Sequence, residues 1–382
     1  RYKNDIFLYN KKFGKRDLIL CDAIDNAIEN DILEFKIKRF KSEKFYGSIT
    51  KRIGTFFDKE SITKLLISEN NLVDQFSEKI LKKVLKIKKR YNKDYENEIQ
   101  NRTDLTNLNT FTIDPNGARD LDDAVCVIKN NENYKIYINI ADVSYFVKQG
   151  TSIDKEALKR SFSVYLPSKV IRMLPPLLSE DLCSLLPGSY KYAVTTEVDV
   201  NKEGKIIKWN TYKSIIESKN KFTYEEVFNI LENDLNHKFK NDLLVLKEVS
   251  DLLKKKRMKI PDKKYNNETN KIETYYHDYS HGMIEELMIL NNILVAKTLS
   301  SQNKLYPSRF HPSIDLKIAS NVIPLLEKIN NISINNLDVD TIQYLIDNNK
   351  QNTLINIYFI QRMLSKARYD YENSGHWALN LN

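Results

Sequence analysis

Four aspartates fall within ten residues of this chain, Asp114, Asp120, Asp122 and Asp123, in the pattern D-x5-D-x-D-D. A short apolar run containing Phe111 and Ile113 leads in, and Val125, Cys126, Val127 and Ile128 lead out. The pattern reads as strand, tight loop, strand, with Pro115-Asn116-Gly117 supplying the turn chemistry. In an extended segment Asp120 and Asp122 point one way and Asp123 the other. The turn can bring Asp114 back towards them. Like charges this close repel and raise one another's pKa unless cations neutralise them. Hard oxygen ligands at this density suit magnesium or manganese.

Aspartates beside Pro, Asn and Gly ordinarily close turns or cap helices, and most such clusters are solvated loops. Flanking strands with a buried character argue against that outcome here. A calcium EF-hand loop fails on spacing, because Ala118 and Arg119 occupy the fifth and sixth places counted from Asp114. What survives is a magnesium site for phosphoryl chemistry, where cations activate water and steady the leaving oxygen.

The stretch Thr112-Ile-Asp-Pro, continued by Asp120-Leu-Asp-Asp-Ala, resembles the catalytic signature of the RNB-domain exoribonucleases, the ribonuclease II and ribonuclease R family. Further matches follow in order. Tyr134 to Val143 alternates as a half-buried strand and resembles the family's HIADV strand, with Asn139 in the histidine place and Asp142 read as structural. Ser163-Val-Tyr165-Leu-Pro167 and Met173 to Leu185 form a second strong match, with Arg172 where the family has proline. Met283 to Ala296 resembles the family's IEEFMLLAN helix. Arg309-Phe-His311-Pro312 matches its R-x-H-P turn, and Gly375 to Leu381 resembles the stretch before its TSPIRR motif.

The resemblance implies an α+β fold: an RNB core of mixed sheet and surrounding helices, preceded by a partial OB-fold or cold-shock-like β module. It implies an OB-like module at 1–60, a helical connector at 61–101 and an RNB domain at 102–382. That last domain is expected to be truncated before the TSPIRR arginine and the S1 domain. The implied activity is magnesium-dependent hydrolysis of single-stranded RNA from the 3′ end to 5′-mononucleotides, with manganese as the substitute cation. Asp114, Asp120, Asp122 and Asp123 are the implied metal set, with Asp114 and Asp123 primary and Asp120 and Asp122 catalytic. Tyr165 corresponds to the tyrosine that stacks on the 3′-terminal base, although a Tyr before Leu-Pro, taken alone, reads as core packing. Adjacent glutamates on a helix diverge by roughly 100°, so one of Glu285 and Glu286 faces the site, and Glu285 is the choice. Arg309 and His311, two apart on a strand, share a side and suit phosphate contacts. The alternative is an RNB-like module that grips RNA without cutting it.

The rest of the sequence agrees with this class. Its 382 residues, 41% hydrophobic and 29% charged, describe a globular chain with room for two or three domains. A net charge of +9 favours a polyanionic partner. Three scattered cysteines, Cys21, Cys126 and Cys183, read as free thiols in a reducing cytoplasm. No apolar run approaches the ~18 residues of a membrane span, and no signal peptide is recognisable. A start at Arg1 suggests a fragment or a processed chain. A monomer is expected.

Upstream of the aspartates, Leu33, Phe35 and Ile37 alternate with charged residues. A polar turn at Lys41-Ser-Glu-Lys44 leads into a second alternating run, Gly47 to Ile53. Asp25 to Phe35 resembles the family's second cold-shock-like domain, and such barrels bind single strands. From Ile62 to Asn97 the pattern turns helical, with Val73, Phe76, Ile80, Val84 and Ile87 on one stripe. Lys82, Lys83, Lys86, Lys89 and Arg90 read as its solvated face. The polar stretch Tyr91 to Arg102 is the expected domain boundary.

Overall fold

The computed structural model describes residues 6–8, 19–21, 28–41, 44–131, 133–257, 263–266, 271–274, 279–338, 341–342, 344–345, 352–371, 375–379 and 381. The turn residues Ser42 and Glu43, the segment Asp25 to Ala27, and His277 lie outside the described residues. No described helix is long and apolar enough to cross a membrane. Internal contacts divide the chain into two compact units, residues 1–90 with 147–178, and residues 91–146 with 179–382.

In chain order, β1 (Ile6–Leu8), β2 (Ile19–Cys21), β3 (Asp31–Lys41) and β4 (Lys44–Thr55) precede α1 (Lys59–Glu69) and α2 (Glu78–Ile99). Then come β5 (Thr103–Asp104), β6 (Thr110–Asp114), β7 (Asp123–Asn130), β8 (Asn133–Ala141), the single turn α3 (Val143–Phe146) and α4 (Ser152–Arg160). Short strands β9 (Val164–Tyr165) and β10 (Val170–Ile171) are followed by β11 (Tyr190–Val200) and β12 (Ile206–Thr223). The remainder is α5 (Tyr224–Glu232), α6 (Lys240–Arg257), β13 (Lys263–Asn266), β14 (Lys271–Thr274), α7 (Tyr279–Ser301), β15 (Ser308–Phe310), α8 (Leu316–Asn330), α9 (Thr353–Met363) and β16 (Arg368–Asp370).

The first unit carries a four-stranded sheet in the order β1-β2-β4-β3. Register shifts at Ile32/Leu33, Glu34/Phe35 and Ile37/Arg39 bend the β3–β4 pair, as bulges do. Gly47 is required where the strands cross closely, because a Cβ there would meet Lys36 O at 2.4 Å. The helical pattern over 62–97 is realised as two helices, α1 and α2. Asn70 caps α1 and Asn71 takes a left-handed φ of 51°. Arg160 holds the break by lying 3.8 Å over the Phe76 ring and donating to Val73 O at 2.9 Å and Gln75 O at 2.7 Å. Val73, counted on the apolar stripe, is exposed instead.

The second unit is built on a mixed sheet in the order β11-β8-β7-β6-β12-β5, with β11 also paired to β12. The 18-residue β12 makes both contacts: Ile206 to Glu217 run antiparallel to β11 and Ser218 to Thr223 parallel to β6. One face buries Phe111, Ile113, Val125, Val127, Ile136 and Ile138 against α5, α6 and α7. Each such side chain contributes roughly 1.5–3 kcal/mol, which makes this face the foundation of the aspartate loop. A separate cluster of Leu326, Ile342, Ile357 and Met363 joins α8 and α9. The mixed sheet with surrounding helices agrees with the expected α+β class.

Tyr91 to Arg102 reads as a linker because it is polar, yet it is anchored in the second unit. Tyr91 donates to Tyr190 O at 3.1 Å and packs edge-on against Tyr192. Arg102 is buried and donates to Asp142 at 2.7 Å, to Glu98 at 2.9 Å, and to the carbonyls of Ala193 and Ser214. The contact-defined division therefore falls just before Tyr91. Residues 147–178, inside the expected RNB segment, group with the N-terminal unit instead.

Candidate active site

The aspartate loop hangs between β6 and β7. On β6, Phe111 and Ile113 face the helical core. By strand alternation Thr110, Thr112 and Asp114 face away from it. Thr110 Oγ1, Thr112 Oγ1 and Asp114 Oδ2 are buried there without a hydrogen-bond partner. A buried acceptor left in that state costs free energy. β12 runs alongside, with Lys221 beside Thr112 and Thr223 beside Asp114. Lys221 donates to Ala118 O inside the loop. Thr223 goes on to cap α5 through a reciprocal box with Glu226.

The loop turns at Gly117, whose φ of 79° suits glycine. Ser184 then clamps it from both sides: its hydroxyl accepts from Leu121 N at 3.0 Å and donates to Arg119 O at 2.6 Å. Leu121 is fully buried, and its carbonyl accepts from Leu185 N at 2.9 Å. Asp122 is tethered through its backbone, with Ala141 N donating to its carbonyl at 3.0 Å. Asn139 is buried, donates to Ala124 O at 3.0 Å and accepts from Thr195 at 2.6 Å, which fixes the start of β7. None of the four aspartates is therefore on a loose tip.

The cluster is strained by burial first and by its own charge second. Burial, then the Asp114 and Asp122 charges, push the Asp123 carboxyl up to about 7. Burial raises Asp122 as well, helped by Asp120 and Asp114. Asp114 is also raised by burial and by Asp120, with Thr112 and Lys221 pulling it partly back. Asp142 contrasts with these three. Burial raises it too, but hydrogen bonds from Ser144 and Arg102 hold it below the usual range. Cys183 is buried near Asp122, and its thiol is pushed up to about 12, which makes it inert.

The donor chemistry fits a hard divalent cation: oxygen ligands only, mutual repulsion, and one buried oxygen without a partner. Among the described residues, however, no three acidic, histidine or cysteine side chains already converge as a ligand set. The cluster is a frustrated carboxylate patch rather than a preformed cage. A raised carboxyl holds in the folded chain a proton that the unfolded chain releases near 3.8. Stability is therefore lost as pH rises from that value through about 7. In chelator the protein should melt at a lower temperature at about pH 8 than at about pH 5. Magnesium should close most of that gap, and Asp123→Asn should narrow it, leaving the part that belongs to Asp114 and Asp122. Melting curves with the same pH gap in all three samples would contradict this assignment.

The other predicted residues distribute differently. On α7 the buried positions Met283, Leu287, Leu290 and Leu294 set the inward face. Glu286 lies beside that face and is 3% exposed, whereas Glu285 falls on the far side and is exposed. Glu286 is thus the glutamate turned to the core side of α7, and Glu285, the one assigned to RNA, is the accessible one. Arg309 and His311 do not share one phosphate-facing side. Arg309 is exposed, 4.9 Å over the Tyr369 ring, across the β15–β16 pair. His311 is buried and stacked on His376, with ring centroids 5.1 Å apart. The strand ends at Phe310, so its alternation does not carry to His311, which bonds instead to Gly375 O and Trp377 N. Arg309 lines a cleft of about 870 Å³ with Asn291, Asn292, Lys297, Tyr369 and His376.

Tyr165 belongs to the first unit, where β9 pairs with β10 and Tyr165 sits opposite Val170. Its ring is 69% exposed, so it is not core packing. Ser184 and Lys221 are the loop-holding residues that motif reading missed. Ser184 lies within the Met173 to Leu185 match, and Lys221 had no local signal.

Compared with known proteins, the sequence matches the RNB domain family over residues 102–382. It is 31% identical to ribonuclease R of Aquifex aeolicus over 380 residues, covering 92% of this chain and 53% of that protein. The structure of Mycoplasma genitalium RNase R with ribose-methylated single-stranded RNA aligns with a TM-score of 0.79 at 26% identity, covering 99% of this chain and 64% of that one. The same enzyme with double-stranded RNA aligns with a TM-score of 0.79 at 27% identity, covering 96% and 69%. The chain spans about half the length of the curated relatives it matches.

Proposed function

The chain belongs to the RNB domain family, and on that premise we propose that it hydrolyses single-stranded RNA from the 3′ end, releasing 5′-mononucleotides. One observation carries this reading: burial, and after it the charges of neighbouring aspartates, raise the Asp114, Asp122 and Asp123 carboxyls in a loop where Asp114 Oδ2 has no partner. Asp114, Asp120, Asp122 and Asp123 would hold magnesium, or manganese in its place. When bound, such a cation makes water a nucleophile near neutral pH and offsets charge on the phosphate.

The chain's own residues supply position. Ser184, Lys221 and Asn139 hold the loop backbone, so that only the carboxylate side chains have to converge on the cation. Asp122 is the group assigned to the transition state. Tyr165 is the assigned platform for the terminal base. Within this reading residues 1–60 are the OB-like module, 61–101 the connector and 102–382 the nuclease domain. The proposed working form is a monomer in a reducing cytoplasm, consistent with the free buried thiols of Cys126 and Cys183.

The test is product analysis on a 5′-labelled unstructured RNA. Mononucleotides and a short labelled end product are expected with magnesium, and intact RNA in chelator. Tight binding without cleavage in magnesium would overturn hydrolysis and leave the RNA-gripping module. Tyr165→Ala should weaken retention of the shortest RNAs by ~1–3 kcal/mol, the value of one base stack. The end product should lengthen, while the melting temperature stays near the parent's because the ring is exposed. Lower stability with unchanged end-product length would make Tyr165 a packing residue.

A further inference from the structure

α2 opens with seven basic residues in twelve positions: Lys79, Lys82, Lys83, Lys86, Lys88, Lys89 and Arg90. Ile80 and Val84 bury the inner face and fix the helix. Lys79, Lys82, Lys83, Lys86 and Arg90 fall on one outer flank, in a row about 16 Å long. Five of the basic residues lie at i, i+4 spacings (79 and 83, 82 and 86, 86 and 90), where like charges destabilise a helix. Lys79 also lies in the first turn, where the macrodipole disfavours a cation. Glu78 is the one carboxylate in the N-terminal half, 3.1 Å from Lys82, and the acids Asp94, Glu96 and Glu98 come only later. Glu78, Lys79, Lys82, Lys83 and Lys86 together line a concavity of about 460 Å³.

Helix stability does not account for such an arrangement, because both terms act against it. A polyanion laid along the flank would reverse both. The exposed Leu81 and Leu85 lie on the other flank. The lysine side therefore offers charge without apolar surface, which suits a sugar-phosphate backbone better than a lipid bilayer.

We propose that the lysine flank of α2 is a sequence-independent track for the RNA backbone. Its contribution is expected in the binding of longer RNAs. The inference rests on the RNA reading above, and its test separates the two. Lys79→Gln, Lys82→Gln and Lys86→Gln are combined in one variant of the full chain. A control variant loses the same charge at Lys304, Lys317 and Lys328. Affinity is measured for RNAs of about five and about 25 nucleotides at several salt concentrations. The α2 variant should bind the long RNA about tenfold more weakly at low salt, and its slope against log salt should shrink by ~2. Hydrolysis of the short RNA should stay within about twofold of the parent's. Parent-like affinity and slope for the long RNA would overturn the track. So would equal losses on both lengths, or an equal loss in the control variant. Lysine-dependent capture by phosphatidylserine vesicles, with RNA binding unchanged, would replace RNA by a membrane as the partner. A parent that binds neither RNA would overturn the RNA reading itself and the track with it.

Discussion

Replacing Asp122 by asparagine is expected to slow mononucleotide release by about 10²–10³-fold while RNA affinity in chelator stays similar or improves. The side chain keeps its size and loses its charge. Asp122 is held through its backbone carbonyl, which asparagine retains, so the loop should keep its shape. Burial and the neighbouring charges of Asp120 and Asp114 strain the Asp122 carboxylate, and removing one negative charge relieves repulsion towards an incoming phosphate. An interaction made mainly in the transition state lowers turnover without weakening ground-state binding. Near-normal release by the variant would remove Asp122 from the catalytic group. Loss of both cutting and binding would make it structural.

The largest effect on stability is expected from Arg102→Ala, at about 3–5 kcal/mol in urea unfolding. Arg102 and Asp142 form a 2.7 Å ion pair in which both side chains are almost fully buried. The guanidinium lies 4.4 Å over the Tyr192 ring and 5.4 Å over Tyr145. Removing the arginine leaves the Asp142 charge buried with only Ser144 and the Tyr145 amide as donors. Replacing both partners by apolar residues of similar volume should recover most of the loss, since buried pairs are costly to break and cheap to replace whole. A double variant as unstable as Arg102→Ala would show that the pair itself is strongly favourable. In either case the aspartate loop should keep its magnesium dependence, because this pair braces the sheet without belonging to the loop.

The strand–loop–strand around the aspartates was legible because alternation and turn chemistry are local signals. Their mutual approach was legible from spacing alone. The fixing of that loop was not. Lys221 reaches Ala118 from 103 residues away, through a parallel pairing that no local pattern announces. Ser184 belongs to a matched motif, but its role depends on a hydroxyl meeting two backbone groups from another segment. The Glu285 and Glu286 pair shows a different limit. Helical geometry dictates that one of them turns in. Which one is set by the phase of packing, and α7 is apolar on most sides beyond Glu286, so its sequence gives little contrast. The stretch 62–97 is helical as its pattern reads, but Val73 and Phe76 fit the apolar stripe without belonging to either helix. The break is made by Asn70, Asn71 and the distant Arg160. Arg309 and His311 were paired by assuming that a strand continued through both, and it ends between them.

The proposed hydrolysis requires the aspartate cluster to bind a cation, which a solvated loop would not do. Titration of the protein with manganese, following the loss of the free-ion paramagnetic resonance signal, tests it most directly. The parent should take up manganese, magnesium should compete for it, and Asp114→Asn combined with Asp123→Asn should lose that uptake while remaining folded. Equal uptake by the parent and the folded double variant would contradict the account.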